Sequence, residues 1–144
     1  MAENLAYNSF PQNLTGIPLP PIKYITLLGT SMSVFDYNNE LIIEILINSG
    51  SKYTWHDLTD KESGQFKKEV FKILGSKIGN KFSELINMRN RIIHGYRVTK
   101  DDKQILATKD RKTQEQFYIT EEYLYQFIEK NDELCHMLID YRGY

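Results

Sequence analysis

A chain of 144 residues is long enough for one domain that buries roughly 70 % of its unfolded surface, and too short for two ordinary ones. Hydrophobic residues make up 41 % and charged residues 26 % of it, a balance that excludes collagen-like, disordered and membrane-embedded classes. The net charge of −1 conceals a segregation: residues 1–63 hold 3 Lys/Arg against 7 Asp/Glu, residues 64–112 hold 13 against 5, and residues 113–144 hold 2 against 7.

In chain order, the start Met1-Ala2-Glu3-Asn4 lacks the basic residues and apolar run of a secretory signal. All four prolines fall within Pro11 to Pro21, so residues 1–21 are expected to form an extended arm ahead of a single domain, 22–144. From about Ile22 to Ser49 the residues Ile25, Leu28, Met32, Phe35, Leu41, Ile42, Ile45 and Leu46 follow three- and four-residue steps. They predict one long helix, or two consecutive ones broken at Gly29. The apolar run Leu41 to Ile47 is interrupted by Glu44 and falls far short of the roughly 20 residues that cross a bilayer. No membrane span is expected.

Asn48-Ser49-Gly50-Ser51 stops this helix, and Tyr53 to Asp57 reads as a loop with Trp55 as a lid on the core. Thr59-Asp60-Lys61-Glu62 has capping-box spacing, and Phe66, Val70, Ile73, Leu74 and Ile78 then predict a helix ending near Gly79. Phe82, Leu85, Ile86, Ile92, Ile93 and Tyr96 predict a further helix, closed by a left-handed Gly95. Arg97 to Thr99, Gln104 to Thr108 and Glu115 to Ile119 are β-prone runs that predict a small hairpin. Thr120, followed by Glu121 and Glu122, caps a last amphipathic helix through Leu124, Phe127, Ile128, Leu134, Leu138 and Ile139. The fold class is therefore mainly α, a bundle of four to five helices with a small β-hairpin inserted before the last.

Cys135 is the only cysteine, which rules out an intrachain disulfide and fits a cytoplasmic location. His56, His94 and His136 are too scattered for a local zinc spacing, so neither a structural metal nor a cofactor is expected. His56 and His136 read as ordinary surface side chains.

The basic middle segment holds Lys67, Lys68, Lys72, Lys77, Lys81, Arg89, Arg91 and Arg97, which form either a solvated helix face or a phosphate-attracting surface. Tyrosines and phenylalanines read mainly as packing. Within this segment Arg89 to Tyr96 reads Arg-Asn-Arg-Ile-Ile-His-Gly-Tyr. A histidine can take a proton from the RNA 2′-hydroxyl or give one to the leaving oxygen, while an arginine neutralises charge building on phosphate. His94 lies at a helix C-terminus, where the macrodipole favours a cation. Asn90 and His94 share a face at i,i+4, with Arg91 beside both, but Arg89 is turned about 140° from His94. That divergence favours a composite site in which two copies face each other across a two-fold axis. Glu40 and Glu44, one turn apart, either orient the arginines or sit on a solvated face. Arg91 and Arg97 are otherwise ordinary solvated residues, and Tyr96 packs beside Ile92 and Ile93 or serves as a contact.

The stretch resembles the motif of the HEPN superfamily, an arginine, a polar residue, further residues and a histidine, here Arg89-Asn90-Arg91-Ile92-Ile93-His94, extended by Tyr96. The resemblance implies a helical homodimer that cuts single-stranded RNA without a metal, with Arg89 and His94 catalytic. Asn90, Arg91, Tyr96, Arg97, Lys67 and Lys68 would support the site or bind RNA. It also implies a role in toxin–antitoxin pairs or phage defence, with an antitoxin or a nucleotidyltransferase as partner and Tyr96 as a modification site. The alternative carried by the same resemblance is a HEPN module that binds RNA or protein without cleaving. The hairpin departs from the simplest members of that family.

Overall fold

The computed structural model describes residues 11–50 and 52–143. The first ten residues of the expected arm lie outside that range; Pro11 to Pro21 contain one 3-10 turn, Gln12–Leu14, before the first helix. Helix α1 then runs unbroken over Ile22–Asn48. Gly29 is exposed within it and does not break it: a helical glycine costs only about 1 kcal/mol relative to alanine, and burial of Tyr24, Leu27, Phe35, Leu41, Ile42, Ile45 and Leu46 outweighs that.

Where a loop was expected, Trp55–Thr59 forms the short helix α2. Thr54 is its cap: the Thr54 hydroxyl accepts from the Asp57 backbone N–H (3.2 Å) and Asp57 Oδ2 accepts from the Thr54 N–H (2.9 Å). The expected box at Thr59 and Glu62 does not form, because Thr59 ends α2 and its hydroxyl donates back to the Trp55 carbonyl (2.9 Å). Trp55 is 47 % exposed, no lid; Leu58 on the other side of α2 is the residue that enters the core.

A 3-10 turn, Ser63–Phe66, leads into α3, Lys67–Leu74. The break expected near Gly79 falls at Gly75, whose φ of 92° suits glycine alone, and Gly79 lies inside α4, Ser76–Ile93, beneath the Phe71 ring. The apolar steps Leu74, Ile78 and Phe82 run through the break and conceal it. At the other end of α4, Gly95 is not left-handed as expected. It is needed for space, since a Cβ there would stand 3.0 Å from the Ile92 carbonyl oxygen and 3.3 Å from that of Ala107.

The expected hairpin is a three-stranded antiparallel sheet: β1 Tyr96–Lys100, β2 Lys103–Lys109 and β3 Gln116–Ile119, in that order. Tyr96 thus begins a strand and is 41 % exposed, not packed in the core. Asp101 and Asp102, both at positive φ, make the two-residue turn that β1 and β2 require. Helix α5, Glu121–Arg142, follows a Thr120 cap whose hydroxyl accepts from the Tyr123 N–H (3.1 Å).

Helices α1 and α5 run parallel, because Lys23 meets Glu121, Asn38 meets Asn131 and Glu44 meets Arg142 in the same order along both. Helix α4 runs antiparallel to α5, pinned by the ion pairs Lys81–Glu133 and Lys130–Glu84. Between them Phe35 stacks on Phe82 (6.4 Å between ring centroids) and Phe127 (6.1 Å), and Phe66 on Phe82 (5.9 Å). The sheet is tied to the bundle by the Tyr24 hydroxyl, which donates to the Ile119 carbonyl (2.6 Å) and accepts from the Leu106 N–H (3.1 Å). No helix among the described residues is long and apolar enough to cross a membrane.

Phe35→Ala should lower unfolding stability by about 3–5 kcal/mol, because three helices lose their common contact; urea melts followed by circular dichroism measure it. A loss under 1 kcal/mol would contradict this packing. Burial pushes the Tyr123 hydroxyl up to about 12 from its ordinary 10. The folded protein keeps that proton where the unfolded chain releases it, so the contribution is intact below pH 10 and is lost as pH rises toward 12. Tyr123→Phe should make alkaline unfolding shallower, and an unchanged pH profile would refute the assignment.

Candidate functional site

The motif spans the last turn of α4 and the first residue of β1, so its side chains leave a tightening corner in different directions. Arg89 turns inward: its guanidinium lies 5.0 Å from the Phe35 ring centroid, and Nη2 donates to Asn90 Oδ1 (2.9 Å). Arg89 Nε is buried without a hydrogen-bond partner. Asn90 is half-buried, and Ile93, one turn beyond Arg89, is 49 % exposed.

Two residues after Arg89 the helix has turned about 200°, which carries Arg91 to the sheet side. There it departs from the solvated position expected of it and is only 6 % exposed. Its Nη1 donates to the Lys109 carbonyl at the end of β2, while its Nε is buried with no partner. Neither Arg89 nor Arg91 forms an ion pair with a carboxylate among the described residues. Glu44 pairs with Arg142 (3.6 Å), and Glu40 is exposed on α1. A guanidinium has five N–H donors, and burying it with so few acceptors is costly unless an anion completes the set.

Arg91 lies in the wall of a cleft of about 640 Å³ that His94, Tyr96, Lys109, Arg111 and Gln116 also line. His94 caps α4 and is exposed, and its backbone N–H donates to the Asn90 carbonyl (3.0 Å). The Tyr96 hydroxyl donates to Gln116 Oε1 (2.6 Å), bridging β1 to β3 across β2. Asp110, next to the cleft, is occupied by its own turn: its carboxylate accepts from the Lys112 (2.8 Å) and Thr113 (2.9 Å) N–H groups. Those bonds, first from Thr113 and then from Lys112, hold the carboxyl below its usual range, with the Arg91 charge a smaller contribution. The cleft therefore presents Arg91, Lys109 and Arg111 with no carboxylate in its lining, an arrangement suited to a phosphate-sized anion.

Of the residues singled out in the sequence, Arg91, His94 and Tyr96 share this cleft, whereas Arg89 and Asn90 do not line it. Arg97 is exposed on β1. Lys67 and Lys68 sit on α3 next to Phe66, whose ring meets Phe82 about three helical turns before His94. Lys109, Arg111 and Gln116 were legible only as turn and strand residues, since nothing local in the sequence says that the β2–β3 turn folds back onto the end of α4.

Inorganic phosphate should raise the melting temperature of the protein relative to chloride of equal ionic strength. At ten times its dissociation constant the gain is about 1.4 kcal/mol, roughly 3–5 °C. Arg91→Met should remove the increment in a scanning-fluorimetry comparison, and an equal rise in both proteins would mean that the anion sits elsewhere. The chain matches no protein-family model, no curated protein and no solved structure.

Proposed function

We propose that the protein is a metal-independent endoribonuclease of HEPN type that cuts single-stranded RNA at the His94 cleft. The observation that carries this reading is an exposed histidine on a cationic cleft whose buried arginine has one carbonyl acceptor and an unpartnered Nε. RNA brings its own nucleophile. The 2′-oxygen attacks the neighbouring phosphorus, the bond to the 5′-oxygen breaks, and the products are a 2′,3′-cyclic phosphate and a 5′-hydroxyl. His94 serves as the proton acceptor for the 2′-hydroxyl or the donor to the 5′-oxygen, and water completes the other transfer. Arg91, with Arg111 beside it, neutralises the non-bridging oxygens.

Arg89 joins this chemistry through a second copy. Within one chain it is held over Phe35 and away from the cleft lining, while Ile93 beside it offers apolar surface to a partner. Two α4 ends meeting across a two-fold axis would bring Arg89 and Asn90 of one copy toward His94 of the other. The acidic stretches that flank the basic middle segment help to offset the charge that such pairing gathers.

Purified protein should cut single-stranded RNA in EDTA and leave cyclic phosphate ends. His94→Ala should reduce the rate by 100-fold or more with an unchanged circular dichroism spectrum. Ile93→Asp should dissociate the dimer in sedimentation and take the activity with it. RNA left intact by the wild type, or cut equally well by His94→Ala, would rule the reading out. Full activity in a monomeric Ile93→Asp protein would remove the shared site alone.

A further inference from the structure

The outward face of the sheet is a second feature of the same end of the molecule. The register places Tyr96, Ala107 and Tyr118 side by side on β1, β2 and β3, so the three project from one face. The opposite face belongs to the core, through Leu106, Ile119 and Phe117, the last packed on Tyr123 (6.0 Å between centroids). On the outward face Tyr96 is 41 % and Tyr118 47 % exposed, yet Ala107 between them is only 5 % exposed. The Tyr96 hydroxyl bond to Gln116 spans β2 on this face, joining a side chain of β1 to one of β3 beside the alanine. An aromatic side chain held by its own hydroxyl bond, with a second on the same face, has little freedom left to lose on binding.

Cations border these rings. Lys109 is on the same face one register step from Ala107, and Lys100 and Lys103 stand directly opposite each other at the far end. Like charges in direct cross-strand register are unfavourable. The Lys100 ammonium lies 4.5 Å from the Tyr118 centroid, where it can move to a phosphate when a planar group takes the ring. Tyr96, Lys109 and Gln116 also line the His94 cleft, so the face and the cleft are continuous.

We infer that this face is a stacking platform for single-stranded RNA, with one base on Tyr96, the next on Tyr118, and the backbone led along Lys109, Lys100 and Lys103 into the cleft. Aromatic rings interleaved with cations on an open sheet accept unpaired bases and exclude a duplex, whose bases are already stacked on each other. The choice of RNA over other polyanions rests on the ribonuclease reading of His94; the platform itself rests on the register and exposure of the two tyrosines.

The test uses the wild-type protein and a 2′-O-methyl oligouridylate, which lacks the attacking hydroxyl and cannot be cut, with binding followed by fluorescence anisotropy. Tyr118→Leu, which keeps apolar bulk and removes the aromatic face, should weaken binding about tenfold, Tyr118→Phe by less than twofold, and Tyr37→Ala on α1 not at all. Tyr118→Trp should show indole quenching on addition of the oligomer, beyond that of the wild type with its lone Trp55. Equal affinity of Tyr118→Leu and wild type, absence of quenching in Tyr118→Trp, or equal affinity for the same sequence in a duplex would each overturn the platform. If cleavage depends on His94 while Tyr118→Leu binds normally, the platform fails and the ribonuclease reading stands. If Tyr118 governs binding and no RNA is cut, the ribonuclease reading fails and the platform stands.

Discussion

Phe35 stands between Phe82 on α4 and Phe127 on α5, and the Arg89 guanidinium lies over the same ring. With Phe82 and Arg89 seven residues apart on one face, the phenylalanine touches α4 at two levels and fixes its rotation about its own axis. Everything at the C-terminal end of α4 inherits that rotation. Arg91 is carried to the side of the sheet and His94 to the rim of the cleft, and neither could be moved without turning Arg89 out of its aromatic contact. The cation–aromatic contact is thus a positioning device for the two α4 residues that line the cleft.

Arg91 is a costly side chain to bury. A buried guanidinium with one carbonyl bond and an unpaired Nε is destabilising in isolation, and no carboxylate among the described residues offsets it by direct pairing. The bond to Lys109 nevertheless has a structural return, because it clamps the end of β2 against the last turn of α4 and so holds Arg111 and Gln116 in place. Gly95 makes this closure possible by letting the Ala107 carbonyl approach where any side chain would intrude.

Much of the bundle was legible in the sequence. The stripes of α1, α4 and α5 are periodic over many turns, and their central residues Phe35, Leu85, Phe127 and Leu134 are all buried as the period requires. The misreadings are local competitions. Two glycines four residues apart, Gly75 and Gly79, both fit a helix end, and only backbone conformation distinguishes the one that breaks the chain from the one that accommodates a neighbouring ring. Thr54 and Thr59 both begin capping patterns, and the first one formed used up the second. Of the site, the linear motif placed His94, but the burial of Arg91 depends on a turn eighteen residues later in the chain. Tyr118 was unreadable as a surface aromatic, since alternation along a four-residue strand does not say which face meets the core.

A helix C-terminus is an unfavourable place to bind an anion, because its last carbonyls point outward and carry the negative end of the macrodipole. A phosphate drawn to His94 must be held there against α4, and α4 alone supplies only Arg91 on that side. The sheet corrects this. Its β2–β3 turn adds Lys109 and Arg111, and its β1 strand, leaving the helix through Gly95, turns Tyr96 over the same space. The insertion that sets this chain apart from a plain helical bundle therefore adds two cations to the cleft that the histidine lines. Without it the exposed imidazole would close an ordinary helix; with it, the same residue stands at the mouth of a cationic cleft.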